Sequence, residues 1–301
     1  MQLDISSNSL PIYEALASSV RLELLRLISA GDYSITELSK KLNLSKAIIT
    51  KHIQKLEAAR LITSKKIPGK SGVKKIPHLA VDTIEITFPT QIYHSFSMYT
   101  TSIQLGHYTN FEVVPTCGLA TAENIVGKLD DPLSFVEPSR VNASLLWFSE
   151  GYVEYKIPNN LAHDQNPEML EFVMEIASEF PYSNNVWPSD ISFFINNIPI
   201  GTWTCPGNFS DARGFYTPSW WDDNLSQYGL LKHLRISHTN CAIDGEKLSD
   251  VNLKDLNIKD HQFIDFRIAV LPGAANKGGL TLFGKDFGNH PQDIIANLYF
   301  S

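Results

Sequence analysis

Over the first eighty residues the apolar positions recur at helical spacing, and from about residue 83 they come in short β-rich runs. Leu16, Val20, Leu24, Leu27 and Ile28 define one stripe, so "EALASSVRLELLRLIS" predicts one amphipathic helix, stopped by Gly31 and Asp32. The next stretch, "SITELSKKLNLSKAIITKHIQKLEAARLI", predicts two helices broken at Asn43-Leu44. Ser34 with Glu37 three residues on makes a capping box for the first, and Ser45 caps the second. Ile49, Ile53 and Leu56 form the inward stripe of that second helix. "LITSKKIPGKSGVKKIPHLAV" then predicts two strands around a Pro-Gly-Lys-Ser-Gly tip.

Downstream, "IEITFP", "HSFSMYTTSIQL", "LLKHLRIS", "FIDFRIAVL" and "LTLFG" read as strands between Gly, Pro, Asn or Asp breaks. "ASLLWFSEGYVEYKIP" predicts a hairpin turning at Glu150-Gly151, and "ISFFINNIPIGTW" another turning at Asn196-Asn197. In "PEMLEFVMEIASEF" the apolar residues alternate with Glu171, Glu175 and Glu179, which favours a strand with its acids toward water. The predicted fold is multidomain: an N-terminal all-α, winged helix-turn-helix domain over 1–82, then an all-β, jelly-roll-like sandwich over 83–301.

Charge sharpens this division. Residues 1–80 hold thirteen Lys and Arg against six Asp and Glu, a balance of +7, and the remainder is −14, giving the net −7. A basic head on an acidic body points to a polyanion partner for the head alone. The outward stripe of the second helix carries Lys46, Ala47, Thr50, Lys51 and Gln54. Small residues allow close approach to a major groove, Lys neutralises phosphate, and Thr or Gln bonds base edges. Lys65, Lys66, Lys70, Lys74 and Lys75 cluster on the hairpin, as the wing of such a domain requires. Gly69-Lys70-Ser71 is no phosphate-binding loop, because Ser64 stands where its first glycine belongs.

Ala-Leu-Ala, Arg-Leu-x-Leu-Leu, Leu-Ser and Lys-His-Ile-x-x-Leu-x-x-Ala-x-Leu-Ile, over about residues 10–82, resemble the winged helix-turn-helix of ArsR-type bacterial transcriptional regulators. The resemblance implies double-stranded operator DNA as partner, a homodimer, and repression relieved by an effector. It places Ser45, Lys46, Ala47, Thr50, Lys51 and His52 in the recognition helix. "SITELSKKL" lacks the cysteines that the family's metal sensors carry in the first helix of the helix-turn-helix, and Arg60 stands where a glycine is usual. "WPSDISFFINNIPIGTW" resembles jelly-roll carbohydrate-binding sandwiches.

The long segment "CPGNFSDARGFYTPSWWDDNLSQYG" is the candidate effector loop. Trp220, Trp221 and Trp203 offer stacking faces, and Asp211, Arg213, Asp222, Asn224, Gln227 and Tyr228 offer polar groups, a composition suited to a small molecule such as a sugar. Two other readings stand beside the sensor: a glycoside-processing sandwich using Glu171 and Glu175, and a DNA-bound scaffold whose tryptophan loop docks another protein. No catalytic or cofactor motif occurs, and Cys117, Cys205 and Cys241 have no metal-ligand spacing and are expected as buried thiols. With no signal-peptide pattern and no apolar run of membrane-spanning length, the expected place is the cytoplasm, without a membrane partner.

Overall fold

The first helical stripe is interrupted. In the computed structural model, which describes residues 1–69, 72–87 and 96–301, α1 (Leu10–Leu16) and α2 (Ser19–Ala30) replace the one helix expected there. Ser18 is extended (φ −162°, ψ 123°) and starts α2 as its N-cap. Arg21 explains why the break is stable. Its buried guanidinium donates to the carbonyls of Glu14 (2.7 Å) and Ala15, which the end of α1 leaves without helical partners. α3 (Ile35–Lys41) and α4 (Lys46–Ala58) follow the predicted pair. Ser34 and Glu37 form the capping box, the Ser45 side chain accepts from the Ile48 N–H, and Asn43 makes the break at φ 52°.

The wing is an antiparallel ladder of β2 (Ile62–Gly69) and β3 (Gly72–Leu79), in register from Ile62–Leu79 to Gly69–Gly72. A parallel pair, β1 (Gln2–Asp4) with β4 (Glu85–Thr87), was not legible as such in the sequence. The chain divides into two compact units, 1–94 and 95–301, so β4 lies with the first unit and past residue 82. Leu24, Leu38, Ile49, Ile53, Leu56 and Leu61 are its buried core.

The second unit carries twelve strands: β5 (Ser97–Ile103), β6 (Asn110–Ala120), β7 (Leu145–Pro158), β8 (Pro167–Ala177), β9 (Ser189–Ile195), β10 (Ile198–Cys205), β11 (Leu230–Ile236), β12 (Cys241–Ile243), β13 (Glu246–Ser249), β14 (Phe263–Val270), β15 (Leu280–Phe283) and β16 (Ile294–Phe300). One layer runs β10-β9-β14-β7-β6 and the other β5-β16-β8-β11-β12-β13, with β15 hydrogen-bonded to both β7 and β8. At the opposite side Ser249 Oγ on β13 donates to Ile200 O on β10 (2.6 Å), so the sandwich is a nearly closed barrel. Between the layers Phe172 of β8 stacks on Phe266 of β14 at 3.8 Å and 14°. All three cysteines are buried thiols in this unit.

β9 and β10 turn at Asn196-Asn197, both at positive φ as a tight hairpin turn requires. The hairpin expected at Glu150-Gly151 is absent, for β7 runs through it unbroken. Gly151 (φ 113°) instead lets the strand bend, since a Cβ there would lie 1.9 Å from Glu112 O on β6. The same strand can therefore pair with β14 after the bend and β15 before it.

Arg60 occupies the left-handed position after α4 (φ 58°), with the Leu61 N–H closing on Leu56 O at 3.1 Å. Arg60→Gly should raise the stability of the first unit by up to about 1 kcal/mol, read by denaturant unfolding, because glycine takes that conformation without a Cβ clash. Gly151→Ala should lower the transition of the second unit, while leaving the first near its original midpoint.

Candidate functional site

Two surfaces carry the candidate chemistry. On α4, Ile49, Ile53 and Leu56 are buried, while Ser45, Lys46, Ala47, Lys51 and Gln54 are exposed and Thr50 is half-buried. The Thr50 hydroxyl donates to Lys46 O (2.8 Å), which leaves its oxygen able to accept. His52 turns aside: it is half-buried 3.4 Å from Arg21 Nη1, and burial, then the Arg21 and Lys51 charges, hold it below the ordinary histidine range. On the wing Lys65 and Lys74 are exposed. Lys75 is engaged by Glu57 at 2.7 Å, and Lys70 and the side chain of Lys66 lie outside the described residues.

Helices α3 and α4, with their caps, form the helix-turn-helix itself, and α2 packs against them. Residues 18–64 match the family described as bacterial regulatory protein, arsR family. This stretch is an ArsR-family helix-turn-helix domain. An HTH-type transcriptional regulator of Methanocaldococcus jannaschii is 35% identical over 63 residues, 21% of this chain and 66% of that protein, just under two thirds of its length. HlyU from Vibrio cholerae N16961 is 22% identical, over 26% of this chain and 83% of its own, at a TM-score of 0.22. The CBM36-1 domain of a multidomain xylanase from the hindgut metagenome of Trinervitermes trinervoides is 9% identical, over 66% of this chain and 96% of its own, at 0.30. No described helix is long and apolar enough to cross a membrane.

In the sandwich, Glu171 and Glu175 of β8 and Glu179 just past its end do not face water as the alternation implied. Glu171, Glu175 and Glu179 are all buried. Glu171 accepts from Arg235 Nε (2.8 Å), Asn297 Nδ2 (2.9 Å) and Tyr299 Oη (3.2 Å), and lies 3.2 Å from His233 Nδ1. Burial opposes its ionisation, but hydrogen bonds from His233, Asn297 and Arg235 outweigh it and hold the pKa down to about 2. Glu175 accepts backbone N–H bonds from Gly229, Asn289 and His290 at 2.9–3.0 Å, and burial still pushes it up to about 7. Both carboxylates are buried and held by internal partners, and neither lines the cavity that Glu179 enters.

Glu179 is different. It lines a cavity of about 160 Å³ with Thr116, Asp130, Trp147, Phe180, Trp221 and Thr281. Thr116 Oγ1 and Thr281 Oγ1 bond its carboxyl at 3.2 and 3.1 Å, yet burial, helped by the charge of Asp130, raises it to about 8. Trp147 and Trp221 meet edge-to-face at 5.8 Å, and Trp221 is only 6% exposed. Gly118 makes room for the Trp147 ring, because a Cβ would lie 2.3 Å from it.

Of the nine residues proposed for the effector loop, Trp221 alone lines this cavity. Trp220 is 39% exposed and donates from Nε1 to Ala122 O (2.6 Å). Ala122 belongs to a second, polar cavity of about 440 Å³ lined also by Asn124, Asn142, Lys285 and Asp286. The rest of the loop is bonded to itself. Gln227 is buried and donates to Asp222 O and Leu225 O, Arg213 pairs with Asp223 and with Pro218 O, Tyr228 donates to Asp211 (2.6 Å), and Asp222 accepts from Asn224. Trp203 lies in the core of β10 under Lys232, 4.9 Å from its ring. Glu179, Trp147, Thr116 and Thr281 were missed, and only the Glu179 position in the alternation hinted at them.

Three of the buried acids give the sandwich a pH signature of two signs, and Asp293, raised by burial, adds to that of Glu175 and Glu179. Glu175 and Glu179 are raised above their ordinary 4.5, so their contribution is full below 4.5 and lost as pH rises through about 7 and about 8. Glu171 is depressed, so its contribution is present above 4.5 and lost as pH falls toward 2. The melting temperature of the second unit should therefore peak near pH 5 and fall by several degrees toward pH 9, a fall that Glu179→Gln should flatten.

Proposed function

We propose that this protein is a ligand-responsive transcriptional regulator, in which α4 reads operator DNA and the sandwich binds a small effector. For the DNA half the support is the exposed stripe of Lys46, Ala47, Thr50, Lys51 and Gln54, set above a buried stripe that fixes its orientation. A single winged helix makes too few base contacts for operator-level specificity, so two copies on a pseudo-palindrome are the working assembly. By family resemblance, the effector relieves repression. The observation that carries the sensing half is the cavity lined by Trp147 and Trp221 with the Glu179 carboxyl in its wall. An effector acts by favouring one arrangement of the DNA-reading units, which needs affinities for the two states differing by about 1–3 kcal/mol.

A pocket of this kind argues against a scaffold role, where a flat exposed patch would be expected. A sugar remains the second reading of the ligand, and it is better matched by the polar cavity beside Trp220 than by the tryptophan cavity.

An operator selected from a random DNA pool with the full chain gives the first test. Thr50→Ala with Lys51→Ala should abolish sequence-specific binding with thermal transitions unchanged; undiminished operator affinity would sink the assignment. Lys65→Ala and Lys74→Ala should each reduce the slope of log affinity against log salt by about 1. Trp221→Ala should spare DNA binding and remove the response to the effector.

A further inference from the structure

The tryptophan cavity also has a chemical preference, and this inference rests on its being the effector site. Fourteen residues line it, two of them acids, Glu179 and Asp130, and none Lys, Arg or His. A carboxylate or phosphate would enter with no counter-charge, against the Asp130 carboxylate, and would hold Glu179 in its neutral form, so the lining disfavours an anionic effector. The walls are Trp147, Phe180, Tyr182 and Trp221. Aromatic faces attract a cation, and more strongly where water is excluded. The volume, about 160 Å³, is close to that of an engineered protein cavity that holds benzene.

We propose that the cavity takes a small organic ammonium ion of about one ring's size, with the cationic head against Glu179 and the apolar body against the wall that Trp147 and Trp221 form together. Asp130 stands at the exposed side, where its own carboxylate accepts from the Cys117 N–H (2.9 Å), and it supplies the second negative charge. The groups around Glu179 are the Thr116 hydroxyl and Cys117 thiol on β6, Asp130 on the following loop, and the Thr281 hydroxyl on β15. Burial keeps the Cys117 thiol up at about 11, so it stays neutral and only Asp130 adds charge.

The proton follows from this. With its pKa at about 8, Glu179 is mostly a neutral acid at pH 7, and an entering ammonium ion displaces that proton to solvent, one for each ligand bound. Affinity for the cation then rises with pH up to about 8, whereas a neutral ligand accepting a hydrogen bond from the acid would lose affinity over the same range.

Isothermal titration of the full chain with benzylammonium, isosteric benzyl alcohol and glucose tests this. Benzylammonium should bind at least about tenfold more tightly than benzyl alcohol at pH 7.5, and its affinity should climb about fiftyfold between pH 6 and 8, following the ionised fraction of an acid titrating at about 8, with proton release in buffers of different ionisation enthalpy. Glu179→Gln should erase the preference while leaving benzyl alcohol binding. Asp130→Asn, at the exposed side, should weaken the cation about threefold and leave benzyl alcohol unchanged. Equal binding of the two ring compounds, or a cation affinity indifferent to both variants, overturns the ammonium assignment and leaves the cavity as a site for neutral rings. If neither ring binds, the cavity is no effector site and both readings fall. Benzylammonium binding that leaves operator affinity unchanged supports the assignment and overturns the sensor role alone.

Discussion

One buried carboxylate holds together the parts of the sandwich that the sequence leaves as loops. Glu175, inside β8, takes backbone N–H bonds from Gly229 at the end of the tryptophan loop and from Asn289 and His290 in the segment before β16. Breaking such a buried cluster by removing its acceptor leaves several amides unsatisfied, which costs far more than the net worth of each bond. Thr217 extends the tie, since its hydroxyl donates to Gln227 O and accepts from the Gly288 N–H. Trp221 and its neighbours are positioned by these bonds, so the cavity depends on an acid that never touches its contents.

β15 is the second constraint. Four residues long, it joins the two layers by pairing with β7 on one side and β8 on the other. Thr281, in its middle, is fully buried and donates to Ser178 O and bonds Glu179, so the strand that closes the barrel also fixes the cavity's titratable group. Architecture and candidate chemistry meet at one residue.

The helix-turn-helix was legible nearly residue by residue because its signals are local. Ser34, Glu37, Asn43 and Ser45 act within one turn of their own positions, and the Ile49–Ile53–Leu56 stripe follows from helical period alone. The break at Ser18 was hidden because it is held by Arg21, a residue that pattern reading assigns to the surface. In the sandwich, the strands and the Asn196-Asn197 turn were readable, but partners far apart in sequence were not. Glu171 meets Arg235 and Tyr299, and Glu175 meets Asn289, across more than sixty residues each. Alternation shows that acids share a face and says nothing of whether that face meets water or other strands. Gly151 misled for a similar reason: a glycine that ends a strand and one that lets two strands approach look alike.

The self-bonded tryptophan loop bears on signalling. With Gln227, Arg213, Tyr228 and Thr217 engaged inside the loop and to its neighbours, the wall carrying Trp221 is already assembled, and a guest meets it without an ordering penalty. In the proposed sensor it shifts the burden of signalling elsewhere, because a wall that is finished beforehand cannot report arrival by folding. In the sensor proposed above, a message to the DNA-reading unit then travels as a rigid displacement or as a change in charge, and Glu179, raised to about 8, is the wall group whose charge changes near neutral pH.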